Sequence, residues 1–157
     1  MIKTIDDYLS NIQCNSIINM WDENCIIDIN NDNVYHYLGM CLMPHLKKIN
    51  EIIPEFIKCY FKKFRIQCVD ENIQQIKIPH SHINGYSFVI FLNDNFEGGE
   101  LIFDNLIVKP KMGTMVYFTG NEQHRVENCV GKRWTLVGFL HNNLFTNLQN
   151  STYKNLI

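Results

Sequence analysis

The 157-residue chain contains no alanine and only three arginines, against twenty asparagines and twenty-one isoleucines. Such a skew fits an AT-rich coding sequence better than a structural demand, and it makes each arginine worth inspecting. There is no basic excess either. Fourteen Lys and Arg against sixteen Asp and Glu leave a formal charge of -2, so no broad positive field gathers phosphate backbones or anionic lipid, and nucleic acid is not expected as a partner. No stretch of about 18 apolar residues occurs, and the opening MIKTIDDYLS has no basic segment leading into an apolar run and cleavage site. The expectation is no membrane partner and an intracellular, cytoplasmic protein. The six cysteines (Cys14, Cys25, Cys41, Cys59, Cys68 and Cys129) form no CxxC pair. They read as reduced, mostly buried thiols rather than staples or a zinc site.

What the chain does have is core material. With 46% hydrophobic and 12% aromatic residues, it can close a single domain spanning 1–157. Its texture changes near residue 65. Before that point the apolar spacing is helical: Tyr8, Ile12, Ile17, Ile18 and Trp21 in one short region, then Leu46, Ile49, Ile53, Phe56, Ile57, Tyr60, Phe61 and Phe64 in a longer stripe. Residues 1–64 are therefore expected to be helical support. From 65 to 141 the apolar segments shorten to strand length: FRIQCV, IQQIKIP, YSFVIFLN, ELIF, LIVKP, TMVYF, HRVENC and RWTLVGFL. Turn signals at Asn84-Gly85, Asp94-Asn95, Gly98-Gly99, Met112-Gly113 and Thr119-Gly120 separate them. A mainly β jelly roll is predicted, with N-terminal helices packed on one face and an Asn-rich tail over 142–157.

Chemistry concentrates on the strand-rich part. In an extended strand, residues two apart face the same way, so His80, His82 and Asn84 can share one face, with His124 on a strand opposite. Two imidazoles and an oxygen donor on one side of an ion leave positions open, the arrangement of non-haem iron(II) oxygenases. Arg133 follows His124 by nine residues, enough for the chain to return on a neighbouring strand, where a guanidinium fork suits a dicarboxylate. Isolated histidines in a sheet are more often packing groups, and His36, His45 and His141 are read that way, as are Trp21 and Trp134. Lys109, Lys111, Arg125 and Lys132 are read as guards of sheet edges.

The ordered set His82, Leu92-Asn93, Phe96-Glu97-Gly98-Gly99-Glu100, Pro110 to Gly113, His124-Arg125-Val126 and Arg133 resembles the 2-oxoglutarate and iron(II)-dependent oxygenases, in their prolyl 4-hydroxylase-like branch. The resemblance covers residues 76–141. It implies a double-stranded β-helix, iron(II) with 2-oxoglutarate as cosubstrate and ascorbate as auxiliary reductant, and hydroxylation of a C–H bond, best placed on a prolyl residue of a polypeptide. Carried over by position, it implies His82, Asn84 and His124 as metal ligands and Arg133 with Thr135 at the cosubstrate.

Two departures stand out. The family carries an aspartate two residues after the first histidine. Here that position is Asn84, the preferred register, or His82 itself if His80 comes first, which gives a site of His80, His82 and His124. The second set evokes the HxH of cupins, although the gap from Gly113 to His124 and the position of Arg133 look like the oxygenase pattern. Phe91 also stands where the family often has a cosubstrate-binding tyrosine. The missing aspartate motivates the competing expectation, a catalytically degenerate barrel that binds a protein partner.

Overall fold

The computed structural model describes residues 1–19, 59–71, 78–82 and 85–142, with the side chains of 59–65 and 140–142 left aside. Its first elements are strand β1 (Ile2–Ile5) and helix α1 (Asn11–Asn19). The helix starts on a reciprocal cap: Gln13 N donates to Ser10 Oγ at 3.3 Å, and Ser10 N donates to Gln13 Oε1 at 2.9 Å. Two of the donors that a helix N-terminus leaves orphaned are thereby satisfied. Cys14 and Ile17 are its buried residues.

Nine further strands follow. They are β2 (Cys59–Val69), β3 (Tyr86–Phe91), β4 (Glu97–Gly98), β5 (Leu101–Phe103), β6 (Leu106–Val108), β7 (Met115–Thr119), β8 (His124–Val126), β9 (Cys129–Val130) and β10 (Arg133–Asn142). Every pairing is antiparallel. A five-stranded sheet runs β1-β7-β3-β10-β2, a three-stranded sheet runs β6-β5-β8, and β4 pairs with β9. The two larger sheets close over one apolar cluster. Val89, Phe91, Val116 and Phe118 come from the first, and Leu101, Phe103 and Val108 from the second. Alternate residues of the first sheet, including Phe88, Ile90, Met115, Tyr117 and Leu136, are buried on its other side, so the sheet is covered on both faces. This is the expected jelly roll.

The first 64 residues differ from the helical expectation in two places. Ile2–Ile5 is an edge strand on β7, and β2 already begins at Cys59. Tyr60, Phe61 and Phe64 thus belong to a ladder in which β2 pairs with β10 from Cys59↔Asn142 to Val69↔Arg133. The long exposed edge of β10 draws this aromatic-rich segment into the sheet, and pairing overrides the local spacing. The rest of the longer stripe, Trp21, and all of the expected IQQIKIP strand but Ile78 and Pro79 fall outside the described residues, as does the tail beyond 142. Among the described residues no helix is long and apolar enough to cross a membrane.

Candidate metal and diacid site

Two backbone hydrogen bonds build the histidine cluster. His80 N donates to His124 O at 3.0 Å, and His124 N donates to His80 O at 2.9 Å. This antiparallel bridge puts both side chains on one face. His82, two residues on, faces the same way, with its own N–H donating to Gly120 O at 2.6 Å. The rings converge, with centroids 4.4 Å apart for His80 and His124, 5.0 Å for His82 and His124, and 5.2 Å for His80 and His82. One nitrogen from each lies within 4.8 Å of the others. Nitrogens sharing one ion at about 2.0–2.1 Å can be no more than about 4.2 Å apart, so small side-chain rotations close the set.

The donor chemistry fits a metal ion. His124 Nδ1 lies 2.9 Å from Glu122 O, a bond that fixes Nδ1 as the donor and leaves the Nε2 lone pair for an ion. His80 Nδ1 makes a longer contact with Ile78 O, at 3.4 Å. Burial, opposed by the Glu122 carbonyl and aided by the two neighbouring imidazoles, holds His124 down at about 4. Burial, then His80, also lowers His82. Both are therefore neutral near pH 7, the ligating form. Aromatic rings wall the cluster. Phe118 packs on His124 at 4.6 Å, Phe103 lies 5.9 Å from the same ring, and Phe139 meets His82 edge-on at 4.8 Å.

No carboxylate among the described residues joins the cluster. Glu122, the nearest in sequence, turns its side chain away to the Met1 amine and to Thr119 Oγ1. Asn84, the third member of the preferred register, lies outside the described residues. Those that are described bring together the alternative set, His80, His82 and His124. His124 is also not on a wall opposite the first histidines, as the spacing suggested, but directly beside His80, because the bridge docks the histidine segment onto β8.

Arg133 enters from the other sheet. It opens β10, whose partners are β2 and β3, so it is not on a strand beside β8 as expected. Arg133 is 2% exposed. Nε donates to Gly99 O at 3.1 Å, Nη1 lies 3.5 Å from Thr135 Oγ1, and the Phe91 ring centroid is 5.4 Å from the guanidinium carbon. Burial draws its pKa down to about 10, so it stays cationic at neutral pH. No carboxylate among the described residues pairs with it. A buried cation left uncompensated is costly, and a bound dianion removes that cost.

The profile of the 2OG-Fe(II) oxygenase superfamily matches residues 58–141, over half of the chain. The chain belongs to that superfamily. No curated protein sequence matches it significantly. Solved structures with a similar fold include the viral collagen prolyl hydroxylase of Paramecium bursaria Chlorella virus-1 in complex with 2-oxoglutarate, at 16% identity and TM-score 0.64, over 90% of this chain and 95% of that one. A prolyl 4-hydroxylase from Phytophthora capsici matches at 16% identity and TM-score 0.69, over 90% of this chain and 58% of that one. A Trichoplax adhaerens prolyl hydroxylase, solved with a peptide fragment of the hypoxia inducible factor, matches at 13% and 0.62, over 90% and 83%. Iron(II) and 2-oxoglutarate are the superfamily's cofactor and cosubstrate, and the three histidines of this oxygenase offer a donor set able to hold an iron ion.

Glycines of this oxygenase do more than turn the chain. A Cβ at Gly99, where φ is +72°, would lie 2.8 Å from both Arg133 Cδ and Phe96 Cε2. A Cβ at Gly120 would lie 2.7 Å from His82 O. The first glycine seats the guanidinium and the second seats the histidine segment. Sequence reading found both only as turn markers, because their partners are 34 and 38 residues away.

Proposed function

We propose that the chain is a 2-oxoglutarate- and iron(II)-dependent dioxygenase whose ion is held by His80, His82 and His124, with Arg133 and Thr135 gripping the distal carboxylate of the diacid. The observation that carries this reading is the coexistence in one barrel of three clustered imidazoles and a buried guanidinium that pairs with no carboxylate among the described residues. When bound, iron and 2-oxoglutarate supply the oxidising chemistry, in which dioxygen is consumed and the keto acid leaves as succinate and carbon dioxide. The chain's own residues bind and orient. His124 presents Nε2 because Glu122 O holds Nδ1, Phe103, Phe118 and Phe139 exclude water from the imidazoles, and Thr135 shares the guanidinium with the incoming carboxylate.

A prolyl residue in a polypeptide is the substrate we assign. The fold likeness to prolyl hydroxylases supports it, and the Trichoplax neighbour was solved with a peptide. Purified protein given iron(II), ascorbate, 2-oxoglutarate and proline-containing peptides should release succinate in step with addition of one oxygen atom to the peptide. Succinate formed with oxygenation of some other acceptor would keep the dioxygenase and remove the prolyl assignment.

A second reading, a degenerate barrel that binds a protein partner, is favoured by the absence of a ligand carboxylate among the described residues. Peptide binding with no succinate under any metal loading would select it. The ligand register is tested separately, by metal titration. Loss of affinity in His80→Ala but not in Asn84→Ala supports the three-histidine set, and the reverse pattern restores the Asn84 register.

A further inference from the structure

The Leu92-Asn93 pair marks the end of β3, and the proposed chemistry gives Asn93 no task. Its carboxamide is nonetheless fully engaged. Nδ2 donates to Lys132 O at 2.8 Å and to Asn95 Oδ1 at 2.6 Å, while Oδ1 accepts from Trp134 N at 2.8 Å. Lys132 and Trp134 are the two residues flanking Arg133. One side chain thus grips the backbone on both sides of the guanidinium-bearing residue, by one donor and one acceptor in a fixed order that a carboxamide supplies and a carboxylate cannot.

The ladder explains why such a grip is needed. Pairing between β3 and β10 starts at Phe91↔Thr135, so Arg133 lies beyond it. Among the described residues its only regular ladder partner is Val69 on β2. Leu92 N donating to Trp134 O at 2.9 Å adds one tie, and Asn93 extends the β3 side past the end of the strand. The side chain of Arg133 is then steered by Gly99 O and Thr135. With both its backbone and its Nε fixed, the fork has one direction left.

Resting on the reading that Arg133 grips the diacid, we propose that Asn93 is a positioning residue for that subsite: it orients the guanidinium by clamping residues 132 and 134 and touches neither ion nor diacid. Bidentate recognition of a carboxylate is sensitive to small misplacement, and orienting partners of a binding group typically matter by about 10–100-fold.

The test is calorimetric titration of 2-oxoglutarate into anaerobic Co(II)-loaded protein, with Co(II) affinity and melting temperature measured on the same samples. Asn93→Ala should weaken 2-oxoglutarate by about tenfold or more and leave Co(II) affinity within about twofold, because the histidines sit on other segments. Asn93→Asp keeps the acceptor for Trp134 N and loses the donor to Lys132 O, so it should fall between Asn93→Ala and the parent. Unchanged diacid affinity overturns the proposal, as does a parallel loss of diacid and Co(II) affinity, the mark of general loosening. If Asn93→Ala does not fold, Asn93→Asp is judged alone against the same outcomes. Arg133→Gln separates the two levels: if it binds 2-oxoglutarate as the parent does, the diacid reading itself falls, whereas loss there with full affinity in both Asn93 variants removes only the role of Asn93.

Discussion

The two ends of the proposed site are built in different ways. The diacid end is part of the large sheet: Arg133 opens a ten-residue strand, is 2% exposed, and has its Nε, its backbone neighbours and its Phe91 platform all fixed by the fold. The metal end hangs on less. His80 joins β8 through one isolated bridge, and His82 lies outside any named strand, its N–H donating to Gly120 O. Charge divides the ends too, since among the described residues the buried guanidinium has no carboxylate partner and the histidine cluster has no carboxylate member. On the proposed reading, the difference teaches that the diacid subsite would be formed before its ligand arrives, whereas the histidines, with nitrogens up to 4.8 Å apart, would still have to close on an ion. An ion held by the three imidazoles alone would leave its two positive charges to be balanced by whatever binds next.

The sharpest way to break this contrast is to remove one end at a time. His124→Ala should abolish metal binding, since it deletes the proposed ligand whose Nδ1 the Glu122 carbonyl holds, while the backbone bridge to His80 stays in place. Arg133→Gln should cost about 2–5 kcal/mol of 2-oxoglutarate affinity, the usual loss when one partner of a buried charged pair is truncated, while metal binding without the diacid is unchanged. Both are read by titration with a redox-silent divalent ion. If Arg133→Gln weakened the metal alone as strongly as the diacid, the two ends would not be separable.

A smaller effect should come from giving the metal end the charge it lacks. His82→Asp replaces a neutral nitrogen with an anionic oxygen, the harder donor, and should raise affinity for iron(II) or manganese(II) by about tenfold, or about 1.4 kcal/mol. Zinc should gain less, because imidazole suits it already. Equal gains for all three ions would mean that the aspartate acts through general charge rather than as a ligand.

Much of this was legible in the sequence, and the failures have physical causes. β3, β7 and β10 were readable because their apolar residues run between clear turn signals, and those strands form the interior of the large sheet. The start of β2 was not, because Tyr60, Phe61 and Phe64 satisfy a helical spacing as well as a strand, and only the waiting edge of β10 decides between them. The ligand register is ambiguous for a related reason: at a period of two, His80, His82 and Asn84 can all share a face, and the bridge that sets His80 beside His124 is a contact 44 residues away in sequence. Arg133 is picked out by its place nine residues after His124, but Gly99, which accepts from its Nε, carries no local signal of that role.

The glycines test that last point at lower amplitude. Gly120→Ala pushes a Cβ against His82 O and Gly99→Ala pushes one against Arg133 Cδ, so the first should weaken metal binding and the second diacid binding. Each should also cost stability of about 1–3 kcal/mol, measured by denaturant unfolding. Swapped or shared effects would contradict the division of labour between the two turns.

The smallest expected change is at Phe91, which is fully buried and lies against the guanidinium. Phe91→Tyr adds one hydroxyl at the platform. A hydroxyl that reaches the bound diacid contributes about 1 kcal/mol, whereas one buried without a partner costs about 1–3 kcal/mol of stability. If the diacid carboxylate sits over this ring, the variant should bind 2-oxoglutarate several-fold more tightly, and its melting temperature should recover when the diacid is added. A lowered melting temperature that 2-oxoglutarate does not restore would mean that the ring faces packing atoms rather than ligand. The diacid would then have to approach Arg133 from the Thr135 side alone.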